Sequence, residues 1–275
     1  MTAVSLKDRD LGLATGFVPT LGWLHEGHEA LILRAQKEND KVIVSRFVNP
    51  LQFRKIAYKT YPRDEKRDVK ICRGLNVDYL FSPEPFDMYP PGFDTGVEVK
   101  DLAGKLDGAS LRWHYRGVIT VVAKLFNITQ PNRAYFGSKD PHQLALIRRM
   151  VDDLNFPVKI ISVATKRDKD GVALSSRNSL LSQKEREAAK VISKSVKAIG
   201  ARVKLGETDR ARMTSDLIGM IEAEPLAKVD FAAVVDADSL TQERFAEKTL
   251  IYTAVYIGKI RLTDNRVVKN RKAGG

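Results

Sequence analysis

Hydrophobic and polar residues alternate in blocks along roughly the first 165 positions of the chain. Short apolar runs bounded by Pro, Asn or Gly predict buried strands, and the longer amphipathic stretches between them predict helices. The predicted strands are residues 13–20, 41–48, 77–81, 133–136 and 158–163, and the predicted helices are residues 26–37, 63–75, 117–128 and 141–154. Strands separated by helices of this length indicate a parallel sheet with right-handed crossovers.

The pattern changes after about residue 165. Two helical stretches, residues 182–204 and 209–224, are followed by two apolar strands, residues 229–236 and 249–257. This order is typical of a small α+β unit. We therefore predict an α/β fold with two domains: a Rossmann-like doubly wound parallel sheet over residues 1–165, and a smaller C-terminal α+β domain over residues 166–275.

Composition narrows the class of protein without choosing a function. Among 275 residues, 46 Lys plus Arg exceed 34 Asp plus Glu by 12. This surplus is compatible with nucleic acid, with a nucleoside triphosphate, or with a solvated basic surface. The single cysteine, Cys72, excludes an internal disulfide framework and a multi-cysteine metal site. No apolar run approaches the about 20 residues that cross a bilayer, and no signal-peptide pattern opens the chain, so we expect a soluble, cytoplasmic protein.

The strongest local pattern is PTLGWLHEGH, between the first predicted strand and helix. His25 and His28 are three residues apart and share one face of the first helical turn. The helix N-terminus already favours an anion, and two imidazoles add donors for phosphate oxygens. Gly22 and Gly27 would let the backbone approach a ligand closely. The alternative is a pair of capping or metal-binding histidines, although a metal would need a third ligand and none lies nearby in sequence.

Other polar turns follow later strands, where open α/β sheets bind their ligands. Lys139 is suited to holding a triphosphate, and Asp140 a ribose hydroxyl or Mg²⁺. An exposed lysine beside a helix-capping aspartate explains that turn equally simply, and by itself the turn favours this interpretation. Two further clusters, each weak alone, are the hydroxyl-rich turn ALSSRN and the turn NPLQF.

Together these motifs resemble the pantoate–β-alanine ligase family, within the nucleotidyltransferase superfamily that carries a His-x-Gly-His signature. The resemblance runs from about Thr15 to Asn265 in the family's order and spacing, through GFVPT-LGWLHEGH, FVNPLQF, YPRD, HYRGV, KLFNITQP, YFGSKD, QLALIRRM, DGVALSSRN and RLTDN. It implies an enzyme that joins pantoate to β-alanine using ATP and Mg²⁺, through a pantoyl adenylate, with release of AMP and pyrophosphate. It also implies a homodimer, and a C-terminal domain that closes over the ATP site.

The resemblance further implies a role for each matching position. The implied catalytic residues are His28 as proton donor, His25, Lys139 and Arg177. The implied ATP-binding residues are Leu21, Gly22, Gly27, His28, Gly137, Ser138, Lys139, Asp140, Lys166, Leu174, Ser175, Ser176 and Arg177. The implied substrate-binding residues are Gln52, Gln143 and Asn49, and Asp140 is the candidate Mg²⁺ ligand.

Several residues near these positions depart from the family pattern. Trp23 is bulky where a smaller or polar side chain is usual. Arg46 interrupts an apolar strand, and a buried unpaired guanidinium would cost several kcal/mol. The other departures are Leu21, the segment Leu111-Arg112-Trp113, Ser138, Pro141, His142 and Lys166. We therefore hypothesise an active or weakly active ligase, and a change of acid substrate stays open.

Two further functions remain open on the sequence. One is a nucleotidylyltransferase of the same superfamily that leaves the nucleotide on its product. The other is a basic nucleic-acid-binding or scaffold protein without catalysis, which would bind RNA or DNA with a steep salt dependence and would not use ATP. We expect neither a membrane nor a nucleic acid as partner.

Overall fold

The computed structural model describes residues 13–106, 108–237, 239–242 and 247–270. Its described residues form two compact units. The first unit takes those within Met1–Gly104, Gly108–Ser138 and Gln143–Ala164, and the second takes those within Lys105–Asp107, Lys139–His142 and Thr165–Gly275. The short segment Lys139–His142 therefore belongs with the C-terminal part of the chain, although it follows directly after a strand of the first unit.

The first unit is built on a five-stranded parallel sheet in the order β3-β2-β1-β4-β5. Its strands are β1 (Thr15–Thr20), β2 (Lys41–Arg46), β3 (Tyr79–Phe81), β4 (Arg133–Gly137) and β5 (Lys159–Val163). Its helices are α1 (Glu26–Glu38), α2 (Lys55–Thr60), α3 (Glu65–Gly74), α4 (Pro85–Met88), α5 (Gly108–Thr129) and α6 (Pro141–Asp153), the first two residues of α6 grouping with the second unit.

Successive residues of the central strands enter different cores, as period-two side-chain geometry requires. Phe17 and Ile43 pack into one apolar cluster with α5 and α6, whereas Val18 and Val44 pack into another with α1 and α3. Both faces of the sheet are thus covered, which explains why its strands read as nearly continuous apolar runs.

The strand order places β1 between β2 and β4, with Gly16 paired to both Val42 and Arg133. The order reverses between β1 and β4, and ligands of open α/β sheets bind beyond the carboxyl ends of the strands at such a switch point. The residues that follow Thr20 and Gly137 therefore occupy the position where this fold binds its ligands. The predicted fold class is confirmed.

The second unit packs two helices on a three-stranded antiparallel sheet in the order β6-β7-β8. The helices are α7 (Gln183–Lys204) and α8 (Arg210–Glu222), and the strands are β6 (Ala227–Asp236), β7 (Lys248–Ile257) and β8 (Ile260–Lys269). The helices begin at Ser182 and Asp209, whose side chains accept hydrogen bonds from the first-turn backbone.

Four elements differ from the sequence prediction. The short helices α2 and α4 were not predicted. β8 was not predicted, because the buried polar pair Asp264 and Asn265 breaks its apolar pattern. Helix α5 begins nine residues before the predicted start at residue 117, with a kink at Leu111. Its first turns carry exposed Arg112 and Arg116, so they lack apolar periodicity.

In the described ranges, none of the helices combines the length and apolar character that crossing a membrane requires.

Candidate active site

The loop between β1 and α1 has a fixed shape. Its backbone turns through left-handed conformations at Gly22 (φ +80°) and Trp23 (φ +53°). The buried carboxylate of Asp68, on α3, accepts the N–H groups of Trp23 at 2.9 Å and Leu24 at 2.8 Å. A Cβ on Gly22 would lie only 3.0 Å from this carboxylate, so glycine satisfies both the backbone angle and the close approach.

His25 and His28 form a pair at the start of α1. Nδ1 of His25 accepts the N–H of Gly27 at 3.0 Å, and Nδ1 of His28 accepts the N–H of His25 at 3.3 Å. The rings lie 4.1 Å apart between centroids. A nitrogen that accepts a hydrogen bond carries no proton, so each neutral ring carries its proton on Nε2. The two histidines therefore cap the helix through Nδ1 and carry their protons on Nε2.

The two bulky departures in this region have partners. The guanidinium of Arg67 lies over the ring of Trp23, 5.1 Å from its centroid. Arg46 donates to Ser82 at 2.7 Å and forms an ion pair with Glu65 at 3.0 Å, and its side chain is 19% exposed. The free-energy cost of burying an unpaired guanidinium does not arise at Arg46. This residue lies at the end of β2, and its guanidinium contacts partially solvated partners.

Asn49 and Gln52 form a buried amide cluster after β2. Nδ2 of Asn49 donates to Oε1 of Gln52 and to the carbonyl of Gly117, each at 3.0 Å. Oδ1 of Asn49 accepts from the hydroxyl of Tyr89 at 2.8 Å, and burial raises the pKa of that hydroxyl. These bonds fix the side chain of Gln52 through its Oε1 atom. Its two side-chain N–H groups have no protein partner among the described residues, so they are available to a ligand oxygen.

Helix α5 approaches this cluster very closely at Gly117. A Cβ there would overlap the carbonyl of Leu51, so only glycine fits. His114, one turn earlier on α5, has its Nδ1 2.7 Å from the carbonyl oxygen of Gln52. Since a carbonyl only accepts, Nδ1 of His114 carries the proton, unlike Nδ1 of His25 or His28. The sequence analysis assigned no role to His114, Tyr89 or Gly117.

Lys139 is the central cation of the second unit. Its ammonium donates to the carbonyl of Leu174 at 2.8 Å, and Asn265 of β8 donates to its backbone carbonyl at 2.6 Å. Burial lowers the pKa of Lys139, while the carboxylates of Asp140 and Asp264 act in the opposite direction. The nearby carboxylates therefore do not fully offset the cost of burying the ammonium. A bound phosphate would add the negative charge that stabilises the protonated form of Lys139.

The pair Arg167 and Asp264 was not identified from the sequence. Both guanidinium N–H₂ groups of Arg167 donate to Asp264 at 2.7 Å, and the carboxylate is 4% exposed. The hydrogen bonds to Asp264 raise the pKa of Arg167. The only sequence signal was the RLTDN motif, whose Asp and Asn stand in a segment without strand character.

The hydroxyl-rich turn begins a short 3₁₀ helix, Ser176–Leu180. The hydroxyl of Ser175 accepts the N–H of Arg177 at 3.3 Å. Arg177 is exposed and donates to the carbonyl of Arg261 at 3.1 Å. The side chain of Ser176 lies outside the described part of the chain. This turn therefore presents a helix N-terminus and a solvated guanidinium.

The remaining predicted residues divide between the two units. Leu21 and Gln143 are half-buried in the first, where Gly137 ends β4 and Ser138 donates its N–H to Val163 at 2.8 Å. In the second, Asp140 and Lys166 are exposed, and the backbone of Lys166 accepts from Leu174 at 3.0 Å. In the first unit the structure thus pairs His25 with His28 and Asn49 with Gln52. In the second unit it brings together Lys139, Leu174, Ser175 and Arg177.

Across the residues that the structure describes, His, Cys, Asp and Glu side chains do not come together in any group of three suited to a metal ion. The donor set fits a different mode of binding. Mg²⁺ keeps several waters and commonly takes one or two protein carboxylates plus the phosphates of a nucleotide. The exposed carboxylate of Asp140, next to Lys139, suits that mode.

The chain matches a family model described as pantoate-beta-alanine ligase over residues 1–267. It is 48% identical over 271 residues to a relative from Heliobacterium modesticaldum named pantothenate synthetase, covering 98% of this chain and 96% of the relative. A crystal structure of pantothenate synthetase from Thermus thermophilus is 42% identical with a TM-score of 0.87, covering 92% of each chain. The pantoate-beta-alanine ligase from Francisella tularensis, complexed with beta-gamma ATP and beta-alanine, is 37% identical with a TM-score of 0.77, covering 95% of this chain and 92% of that one.

Proposed function

The chain belongs to the pantoate–β-alanine ligase family, and from this membership we propose how its residues divide the ATP-dependent joining of pantoate to β-alanine. A carboxylate oxygen of pantoate attacks the α-phosphorus of ATP, the bond from that phosphorus to pyrophosphate breaks, and pantoyl adenylate forms. The β-alanine amine then attacks the acyl carbon, AMP leaves, the amine loses a proton and pantothenate is formed. The first step aligns two anions, so positioned donors and cations carry the catalysis.

In the first unit, His28 and His25 direct their Nε2–H donors at the phosphates of ATP. The Nδ1 bonds to backbone N–H groups fix both tautomers, so the donors need no rearrangement when charge develops on the departing pyrophosphate. Leu21, Gly22 and Gly27 supply the backbone that the nucleotide approaches.

The amide cluster of the first unit is the proposed pantoate site. The N–H groups of Gln52 donate to the hydroxyl or carboxylate oxygens of pantoate, while Asn49 holds the Gln52 side chain in place. Gln143, in the first turn of α6, is the second amide assigned to pantoate. A specific acid is selected because a buried amide left unbonded costs free energy.

In the second unit, Lys139, Arg177 and the turn at Leu174, Ser175 and Ser176 hold the phosphates, and Asp140 holds ribose or the nucleotide's Mg²⁺. Gly137 and Ser138 lead the chain into this segment, and Lys166 is assigned to the adenine side. The lowered pKa of Lys139 supports this assignment, because an added phosphate would restore the charge balance around a partly desolvated ammonium.

The single observation that carries the proposal is the pair of Nδ1-anchored histidines directly beyond the switch-point strand β1. The decisive experiment measures pyrophosphate and AMP release with each substrate left out in turn. We expect pyrophosphate release to require both ATP and pantoate, and AMP release to rise on addition of β-alanine. ATP binding without acid-dependent pyrophosphate release would contradict the ligase mechanism.

The same assay separates the other two functions. A nucleotidylyltransferase would yield a stable adenylylated compound in place of free AMP, and a nucleic-acid-binding protein would not consume ATP.

Four further statements belong to the proposal: pantoate is the acid, Mg²⁺ accompanies ATP, two copies form a homodimer, and the enzyme works in the cytoplasm. So does the division into domains of residues 1–165 and 166–275. Light scattering on the purified chain tests the dimer directly.

A further inference from the structure

Lys139 is held by hydrogen bonds at both its backbone and its side chain. The Asn265 side chain, 5% exposed, donates to the Lys139 carbonyl at 2.6 Å, and the Lys139 ammonium donates to the Leu174 carbonyl at 2.8 Å. Lys139 is thereby linked through its backbone to β8 and through its side chain to the hydroxyl-rich turn. The two segments assigned to the phosphates are therefore joined through one residue.

Arg167 makes the second connection between β8 and the turn. In addition to its paired bonds with Asp264, it donates to the carbonyl of Gly171 at 3.1 Å and to the carbonyl of Asn265 at 3.2 Å. Oδ1 of Asp264 also accepts the backbone N–H of Asn265 at 2.7 Å. The guanidinium thus fixes Asn265 from one side and the loop that leads to Leu174 from the other.

These bonds, with the backbone from Gly171 to Leu174, form a closed circuit. The circuit passes through the residues Asn265, Lys139, Leu174, Gly171, Arg167 and Asp264. The cavity beside it, lined in part by Lys139, Ser175 and Asp264, has a volume of about 10 Å³. That is room for roughly one water molecule.

We infer that Asn265, supported by the Arg167–Asp264 pair, is a positioning residue that fixes Lys139 for contact with the phosphates of ATP. It acts through Lys139 and does not touch the nucleotide itself. The inference rests on the proposed function, because it takes Lys139 to be a phosphate ligand. The inference has a distinctive consequence: a substitution of Asn265 should lower kcat/KM for ATP and leave KM for pantoate nearly unchanged.

The first test compares Asn265→Ala and the isosteric Asn265→Asp with the wild type. Both remove the amide donor to the Lys139 carbonyl, and the second keeps the side-chain volume. We expect kcat/KM for ATP to fall about tenfold in pyrophosphate release, the size of one buried hydrogen bond, while KM for pantoate changes less than about twofold. Val267→Thr, an isosteric change at an exposed position on the same strand, should match the wild type.

The second test is a double-mutant cycle with Lys139→Ala. If Asn265 acts only through Lys139, adding Asn265→Ala to Lys139→Ala should lower kcat/KM for ATP by less than about twofold more, far from the product of the two single effects. A purely structural role would instead lower the thermal unfolding temperature and affect ATP and pantoate equally.

Wild-type kcat/KM for ATP in both Asn265 variants would overturn the inference, as would independent effects in the cycle or an equal loss for both substrates. These results differ from a failure of the proposed function, in which the wild-type chain itself would release no pyrophosphate with ATP and pantoate. Circular dichroism on each variant confirms that the measured protein is folded.

Discussion

At the scale of single residues, hydrogen-bond direction separates side chains that sequence alone treats as equivalent. Nδ1 accepts at His25 and His28, whereas Nδ1 of His114 donates to a carbonyl. Motif spacing predicted that the first two histidines lie side by side, because residues three apart are neighbours on a helix surface. It carried no information on tautomers, which depend on the backbone groups that the fold brings to each ring.

His28→Ala should lower pyrophosphate release by roughly 10²-fold or more, because the variant loses a donor aimed at developing negative charge. Two further variants separate the donor from the helix cap. Asn at this position can replace the Nδ1 acceptor only, so His28→Asn should be as inactive as His28→Ala. Gln can place an N–H near the Nε2 position, so His28→Gln should retain more activity. Equal rates for wild type and His28→Asn would exclude Nε2 from the mechanism.

The lowered pKa of Lys139 predicts a pH dependence. Burial favours the neutral amine, so in the free enzyme Lys139 should lose its proton below pH 10.5, the ordinary lysine value. The expected result is a fall of kcat/KM for ATP on the alkaline side, measured as pyrophosphate release without β-alanine so that its amine does not interfere. Lys139→Arg stays protonated and should have a flat profile over that range, whatever its absolute rate. A persistent alkaline fall in that variant would assign the titration to another group.

At the scale of elements, the sequence predicts the helices and strands that hydrophobic periodicity and capping residues define. It does not predict the elements whose polar residues are buried by tertiary contacts. The apolar runs give strands β1 to β7 and helices α1, α3, α6, α7 and α8 to within a few residues, and Ser182 and Asp209 cap the last two helices. β8 escapes prediction because Asp264 and Asn265 are buried for contacts with Arg167 and Lys139, which lie about a hundred residues or more away in the chain. The same reason hides Asp68, a helix residue whose partners are backbone groups of a distant loop.

Asp68→Asn tests how α3 holds the histidine loop. The substitution removes one carboxylate acceptor from two backbone N–H groups, so the free energy of unfolding should fall by about 1–3 kcal/mol. Urea denaturation measures this change, and pyrophosphate release should fall with it because the loop leads into His25. The control Glu65→Gln lies on the same helix and removes only an exposed ion pair with Arg46, so it should cost less than about 1 kcal/mol. Equal destabilisation by the two variants would contradict the anchoring role.

Two helical glycines should respond oppositely to alanine. Gly117→Ala would force α5 away from the carbonyl of Leu51 and disturb the adjoining amide cluster, so it should destabilise the fold by about 1–3 kcal/mol and raise KM for pantoate. Gly219→Ala, on an exposed face of α8 with open space around it, should stabilise by about 0.5–1 kcal/mol. Thermal unfolding of both variants, with pantoate kinetics for the first, checks the pair. A neutral Gly117→Ala would show that α5 can move without cost.

At the scale of the whole molecule, charge and metal chemistry are linked. The chain carries a formal surplus of 12 positive charges. A basic surface attracts polyanions and disfavours free divalent cations, and the described residues offer no cluster of three metal-ligating side chains. The protein therefore suits a cation that arrives already bound to a triphosphate.

This predicts that divalent-metal binding depends on nucleotide. Mn²⁺, a spectroscopic substitute for Mg²⁺, should bind the free protein no more tightly than millimolar, and should join the complex when ATP is added, as measured by electron paramagnetic resonance of the free ion. Removing metal with a chelator should abolish pyrophosphate release yet leave the thermal unfolding temperature unchanged, because the described residues build no three-ligand site for a resident ion. Asp140→Asn should weaken the metal dependence of the rate without altering nucleotide-free Mn²⁺ binding. Micromolar Mn²⁺ affinity in the absence of ATP would instead require a resident metal site built by the protein.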